Sequence, residues 1–159
     1  MKLSGSCHCG SVRFTVESPH PYPYNRCYCS ICRKTQGGGG YAINLGAVHE
    51  TLSVEGADDV TVYRARDDRN ETGISPLQRH FCRHCGSGLW CYDPRWPELV
   101  HPFASAIDTP LPDPPEYVHL MTRFKAPWCR IEGKPGDKSF PDYPDESLAA
   151  WHERLGLTR

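Results

Sequence analysis

Nine of the 159 residues are cysteines, and seven of them stand in three tight groups. The groups are Cys7-His8-Cys9, Cys27-Tyr28-Cys29-Ser30-Ile31-Cys32 and Cys82-Arg83-His84-Cys85, with Cys91 and Cys129 apart. An odd total cannot complete a disulfide framework, and cysteines spaced this closely more often converge on a metal ion. Cys7 is reached without the apolar run of a secretory leader, and no later stretch has the roughly eighteen apolar residues of a membrane span. The expected compartment is therefore the cytoplasm, where thiols stay reduced.

In an extended segment, side chains two apart point the same way, so Cys7 and Cys9 can aim at one ion while His8 faces elsewhere. A Cys-x-x-Cys segment converges through a turn, and Gly10 and Gly86, each just after a cysteine, suit tight turns that bring backbone amides toward sulfur. Zinc is the favoured ion because it accepts tetrahedral thiolates and stabilises domains with weak cores; an iron–sulfur cluster is the alternative. Seven ligands divide into four and three, a closed structural site and one with a free fourth position. Pairing the two-cysteine groups puts Cys7, Cys9, Cys82 and Cys85 together and leaves Cys27, Cys29 and Cys32 as the open site. The rival division joins Cys29, Cys32, Cys82 and Cys85, but their separation far exceeds the roughly 15–20-residue spacer of a ribbon-type site.

The remaining composition agrees with a small metal-stapled protein. Only 38% of residues are hydrophobic, and 14 glycines and 15 prolines interrupt nearly every stretch, so long helices are not expected. The length suits one domain spanning 1–159. A net charge of −1 with interleaved signs excludes an evident nucleic-acid surface. Alternation predicts a strand at residues 11–16, with Val12, Phe14 and Val16 on one face, and further strands at 41–45, 51–54, 60–63, 88–92 and 117–120. Those between 41 and 63 read as an antiparallel meander, 64–72 as an exposed hairpin turn and 108–115 as a proline-rich surface loop. Leu148, Trp151 and Leu155 fall at helical spacing, predicting one helix over 146–155.

Three ordered stretches carry a family resemblance: Gly5-Ser6-Cys7-His8-Cys9-Gly10-Ser11-Val12-Arg13-Phe14, Cys27-Tyr28-Cys29-Ser30-Ile31-Cys32-Arg33-Lys34, and Phe81-Cys82-Arg83-His84-Cys85-Gly86-Ser87. A weaker match runs through Lys125-Ala126-Pro127-Trp128 and Phe140-Pro141-Asp142-Tyr143-Pro144. In these the chain resembles the glutathione-dependent formaldehyde-activating enzymes and their relatives, which include centromere protein V. The resemblance implies a mainly β, tent-like fold of antiparallel sheets around zinc with a short C-terminal helix, the kind also seen in small guanine-nucleotide-factor-like chaperones. It also implies two zinc ions per chain, with Cys7, Cys9, Cys82 and Cys85 structural and Cys27, Cys29 and Cys32 at the catalytic ion.

The activity so implied is a carbon–sulfur lyase of the S-(hydroxymethyl)glutathione synthase type. Three thiolates give zinc weak Lewis acidity but suit a soft sulfur guest, so a thiol such as glutathione is the expected partner and formaldehyde or a related aldehyde the acceptor. The contrasting reading is a noncatalytic zinc scaffold or interaction protein. His80, His84 and Tyr28 lie beside the cysteines as candidate proton carriers, and Arg26, Arg33 and Lys34 as candidate carboxylate partners. Residues 37–40 lack the Lys-Ser/Thr ending of a phosphate loop and read as a rim near the open site. Cys91 and Cys129 read as small buried residues, with Cys129 beside Trp128 a candidate reactive thiol; the four tryptophans read as core or loop anchors.

Overall fold

The computed structural model describes residues 1–36, 38–68 and 70–157, so Gly37 of the expected rim and Arg69 of the expected hairpin turn lie outside the described residues. Twelve strands form three sheets among these residues. In the first, β1 (Lys2–Ser6) pairs antiparallel with β2 (Arg13–Glu17), which pairs with β6 (Ser53–Glu55). The β2 alternation buries Phe14 and Val16 against Leu3 of β1, Trp90 and Leu45. Sequence alternation did not disclose β1, because Ser4, Gly5 and Ser6 carry no apolar signal. Gly5 is nevertheless required there: a Cβ would lie 2.4 Å from the Phe14 ring and 2.5 Å from the Ala106 carbonyl.

The second sheet runs in the order β5-β10-β9-β8-β7, from β5 (Ala47–Val48) through β10 (Leu99–Pro102), β9 (Gly88–Tyr92) and β8 (Ile74–Cys82) to the edge strand β7 (Val60–Arg66). The third is mixed: β3 (Tyr24–Cys27) pairs antiparallel with β4 (Ala42–Asn44) but parallel with β11 (Tyr117–Leu120), which pairs parallel with β12 (Lys138–Ser139). The meander expected between 41 and 63 is not formed. Its segments β4, β6 and β7 go to three different sheets, because β4 pairs back with β3, β6 with β2 and β7 with β8, and none of the three pairs with another.

Two α-helices accompany the sheets among the described residues. α2 (Leu148–Arg154) lies within the expected segment; the Ser147 hydroxyl caps it by accepting the Ala150 N–H at 3.1 Å, and it buries Trp151. The indole N–H of Trp151 donates to Glu116 Oε1 at 2.7 Å, and Arg154 Nη2 donates to the same oxygen at 2.6 Å. α1 (Ser30–Gln36) was not expected, because its only buried residue is Cys32 and it has no apolar stripe.

The core divides into two large clusters and a small third one of Tyr28, Ala126 and Cys129. One cluster holds Leu3, Val12, Phe14, Leu89, Trp90 and Val100 together with Cys7 and Cys82. The other holds Phe103, Val118, Leu120, Met121 and Trp151 together with Cys27, Cys32 and Cys91. Each cysteine cluster is thus attached to its own apolar cluster. No helix among the described residues is long and apolar enough to cross a membrane.

Candidate metal centres

The β1–β2 and β8–β9 hairpins end in two equivalent turns. In the first, Cys7 N–H donates to Val12 O at 3.0 Å and Gly10 N–H to Cys7 O at 3.1 Å; in the second, Cys82 N–H donates to Ser87 O at 2.9 Å and Gly86 N–H to Cys82 O at 2.9 Å. Each turn closes through a glycine in the left-handed region, φ 80° at Gly10 and 72° at Gly86, where a side chain would be strained. The turns meet so that the sulfurs of Cys7, Cys9, Cys82 and Cys85 all lie within 4.8 Å of one another. Two of the separations are 3.5 Å (Cys7 to Cys9) and 3.7 Å (Cys9 to Cys82). A tetrahedron of thiolates at about 2.3 Å from a central ion has edges of about 3.8 Å, close to these two separations, so the donor set suits such an ion.

Neighbours already favour thiolates here. Val12 N–H donates to Cys7 Sγ at 3.2 Å. Ser87 Oγ lies 3.2 Å from Cys85 Sγ and accepts the His8 N–H at 3.0 Å, tying one hairpin tip to the other. The Ser87 hydroxyl and N–H hold the Cys85 thiol down at about 5, and the Ser11 hydroxyl likewise lowers Cys9, whereas burial raises Cys82 to about 11. Cys9 and Cys85 are exposed while Cys7 and Cys82 are buried, so the cluster sits at the surface end of its hairpins.

The second cluster is built differently. Cys27 closes β3, Cys32 lies in the first turn of α1, and Cys29 immediately precedes that helix. The Cys29 sulfur takes the place of a capping oxygen, accepting the Cys32 N–H at 3.3 Å. That bond is the local signal for α1, invisible to apolar periodicity. The three sulfurs lie within 4.8 Å of one another, and no fourth Cys, His, Asp or Glu ligand atom joins them among the described residues. Hydrogen bonds from Cys27 and Cys32, then from backbone N–H groups, pull Cys29 down to about 2, while Cys27, the donor toward Cys29, is pushed up. The rival grouping of Cys29 and Cys32 with Cys82 and Cys85 is not the one the fold brings together.

The other candidates are dispersed. His84 is exposed and its Nε2 lies 2.7 Å from Asp59 Oδ1, beside the four-cysteine cluster. His80 stacks on Trp90 with ring centroids 5.0 Å apart. Tyr28 is fully buried in a separate cluster with Ala126 and Cys129; its hydroxyl meets His119 Nδ1 at 2.9 Å, and His119 Nε2 faces Asp137 Oδ2 at 3.4 Å. Arg26 lies 3.7 Å over the Tyr117 ring and lines a cleft of about 510 Å³ with Tyr28, Tyr41, Trp128 and Cys129. Arg33 and Lys34 line another cleft, of about 740 Å³, with Cys7, His8 and Ser87. Neither cleft is lined by Cys27, Cys29 or Cys32. Cys91 and Cys129 are buried, as are Trp90 and Trp151, but Trp96 and Trp128 are exposed and anchor no core. His119, Asp137 and Arg79 escaped the sequence reading; for Arg79 the signal was a charged residue standing among core-facing positions of a strand.

Fold and site together define a class: a mainly β, cysteine-rich protein with two thiol clusters, each able to hold a metal ion. Comparison with known proteins gives the family. The family profile described as glutathione-dependent formaldehyde-activating enzyme matches residues 2–123, a span that contains both clusters. A protein of Halomonas elongata named "Putative glutathione-dependent formaldehyde-activating enzyme" is 63% identical over 158 residues, covering 99% of this chain and 98% of the relative. The crystal structure of a Rhodobacter sphaeroides protein superposes with a TM-score of 0.53 at 31% identity, covering 70% of this chain and 92% of that one. The chain belongs to the glutathione-dependent formaldehyde-activating enzyme family.

Proposed function

We propose that the chain is a zinc-dependent carbon–sulfur lyase of the S-(hydroxymethyl)glutathione synthase type, acting in the cytoplasm as one domain. The observation that carries this reading is the incomplete three-sulfur group of Cys27, Cys29 and Cys32, which stands in the same chain as a complete four-sulfur group. Zinc bound to the trio would supply a positive centre that lowers the proton affinity of an incoming thiol. Cys7, Cys9, Cys82 and Cys85 would hold the second ion in a structural role.

The chain's own part is to hold three sulfurs on one side and leave the fourth direction free. Cys29, fixed by the Cys32 N–H, and Cys27, fixed by the β3 ladder, set that direction. A thiol held there would release its proton to solvent, and its sulfur lone pair would then attack the aldehyde carbon. The carbonyl π pair moves to oxygen, which takes a proton to give the S-hydroxymethyl product; the reverse breaks the carbon–sulfur bond. The cleft of about 740 Å³ has the size of a small-molecule site, and its Arg33 and Lys34 suit the carboxylates of a glutathione-like thiol. They share α1 with Cys32, so a ligand held there lies along the element that carries one sulfur of the trio.

A noncatalytic zinc scaffold is the second reading, favoured by one observation: Cys27 and Cys32 are only 6% and 5% exposed, and neither cleft reaches the trio. Glutathione titration of the cobalt-substituted protein separates the two. A changed thiolate-to-cobalt absorption supports the lyase, and no response at millimolar thiol favours the scaffold.

A further inference from the structure

Arg79 lies at the centre of β8, directly opposite Cys91 of β9, which in turn lies opposite His101 of β10. Residues facing one another across antiparallel strands share a face, so the three form a row. That face belongs to the second core cluster, where Cys91 packs with Cys27 and Cys32. Arg79 is only 4% exposed, and its Nη1 has no hydrogen-bond partner among the described residues. A guanidinium cannot lose its charge, so burying it unpaired is costly, and buried charges are matched by an opposite one.

The groups around it leave one anion to serve. Cys91 is buried and bears an ordinary thiol, which carries no charge at neutral pH. His101 directs Nδ1 to the Leu45 carbonyl at 3.0 Å, and burial keeps its ring neutral. Asp93 follows Cys91 by two residues, but both of its oxygens are engaged by Arg95, at 2.9 and 2.6 Å. Cys91, across from Arg79, is the residue of this row that packs with Cys27 and Cys32 of the trio.

Resting on the proposed function, we infer that Arg79 is the built-in counter-ion of the three-cysteine site, a positioning residue whose free guanidinium edge favours the state in which an exogenous thiolate completes Cys27, Cys29 and Cys32. Three thiolates around a divalent cation sum to roughly one negative charge, and a fourth raises this to about two. In a dry core that increment needs a nearby cation. At the four-cysteine cluster the same charge faces water at the exposed hairpin tips, where solvent and salt screen it. The thiol's proton passes to buffer as its sulfur enters, so no further reactant is required.

The test uses the full chain loaded with cobalt at both clusters, as wild type, Arg79→Met, Arg79→Gln and Arg79→Lys. Glutathione binding is read from the thiolate-to-cobalt absorption, with far-ultraviolet circular dichroism and the four-cysteine absorption as the fold check. Arg79→Met and Arg79→Gln are expected to weaken the glutathione Kd by more than about tenfold, and Arg79→Lys to recover most of the loss. A Kd within about twofold of wild type in a folded Arg79→Met or Arg79→Gln protein overturns the inference. Where Arg79→Met does not fold, Arg79→Gln, which keeps a donor without the charge, decides. Where wild type gives no glutathione response, the lyase reading fails, and Arg79 is judged on the cobalt affinity of the trio alone: a drop in Arg79→Gln upholds the counter-ion role and an unchanged affinity ends it.

Discussion

The two cysteine clusters reach similar sulfur geometry from opposite directions. Cys7, Cys9, Cys82 and Cys85 come from the tips of two hairpins remote in sequence, each tip a self-contained turn with its own glycine and its own N–H bonds. Cys27, Cys29 and Cys32 come from six consecutive residues at a strand-to-helix junction and are set within the core against Cys91, Phe103 and Trp151. In the first, an ion would join distant pieces of chain and stabilise the fold most, because loop closure between residues 9 and 82 has no covalent help. In the second, the polypeptide already fixes the sulfurs, so an ion adds less stability and is freer to exchange its remaining ligand. On the proposed function, the closure over long sequence separation would be the structural site and the locally preorganised trio with a missing ligand the reactive one.

The severest test of that contrast is Cys82→Ser. It should remove one metal equivalent and unfold the chain, since structural zinc in small domains contributes on the order of 10 kcal/mol; a cooperative thermal transition near that of wild type, with both hairpins intact by circular dichroism, would break the comparison. Next in size, Trp151→Ala removes the indole that packs in the second core and donates to Glu116, at a cost of about 3–5 kcal/mol. Chemical denaturation should show that loss, and competition with a chelator should show the trio releasing its metal before the four-cysteine cluster does. Cys29→Ser should keep the fold and one metal equivalent by native mass spectrometry while abolishing the glutathione response. Global unfolding of that variant would place the trio with the staples.

A smaller effect concerns reactivity in the metal-free chain. Cys85 is exposed and held at about 5 by Ser87, against an ordinary 9.0, while Cys91 is buried and pushed up to about 12. At neutral pH an alkylating reagent mapped by mass spectrometry should label Cys85 early and Cys91 last. The sign of the linked stability follows. A thiol with a depressed folded pKa contributes fully above 9.0 and loses that contribution as pH falls through about 5, so Cys85 weakens the metal-free fold on acidification. Ser87→Ala is the mildest change: it severs the hydroxyl link between the hairpin tips for about 1 kcal/mol and should slow Cys85 labelling near neutral pH.

Local chemistry was legible in the sequence. Spacing alone brought together the sulfurs that prove to be neighbours, because a Cys-x-Cys or Cys-x-x-Cys unit has few conformations, and glycine after cysteine announces the tight turn. Strands β9 and β11 were readable from their apolar runs and α2 from the spacing of Leu148, Trp151 and Leu155. Less visible were elements without an apolar pattern. β1 is disguised by its small residues, and α1 is held by a sulfur cap instead of a buried stripe.

Taken by itself, the sequence determined which cysteines share a local unit and that the chain is mainly β, since both follow from covalent spacing and side-chain periodicity within a few residues; that the unit of Cys7 and Cys9 meets the unit of Cys82 and Cys85 was decided by the fold. Partnership between distant strands was decided only by the tertiary structure: the parallel pairing of β3 with β11 and the dispersal of β4, β6 and β7 over three sheets. So was the burial of Arg79 on the face of Cys91. Strand pairing and charge burial depend on apolar surfaces that meet across nearly a hundred residues of chain. No local pattern encodes which surface meets which, and that meeting is what buries Arg79 across from Cys91.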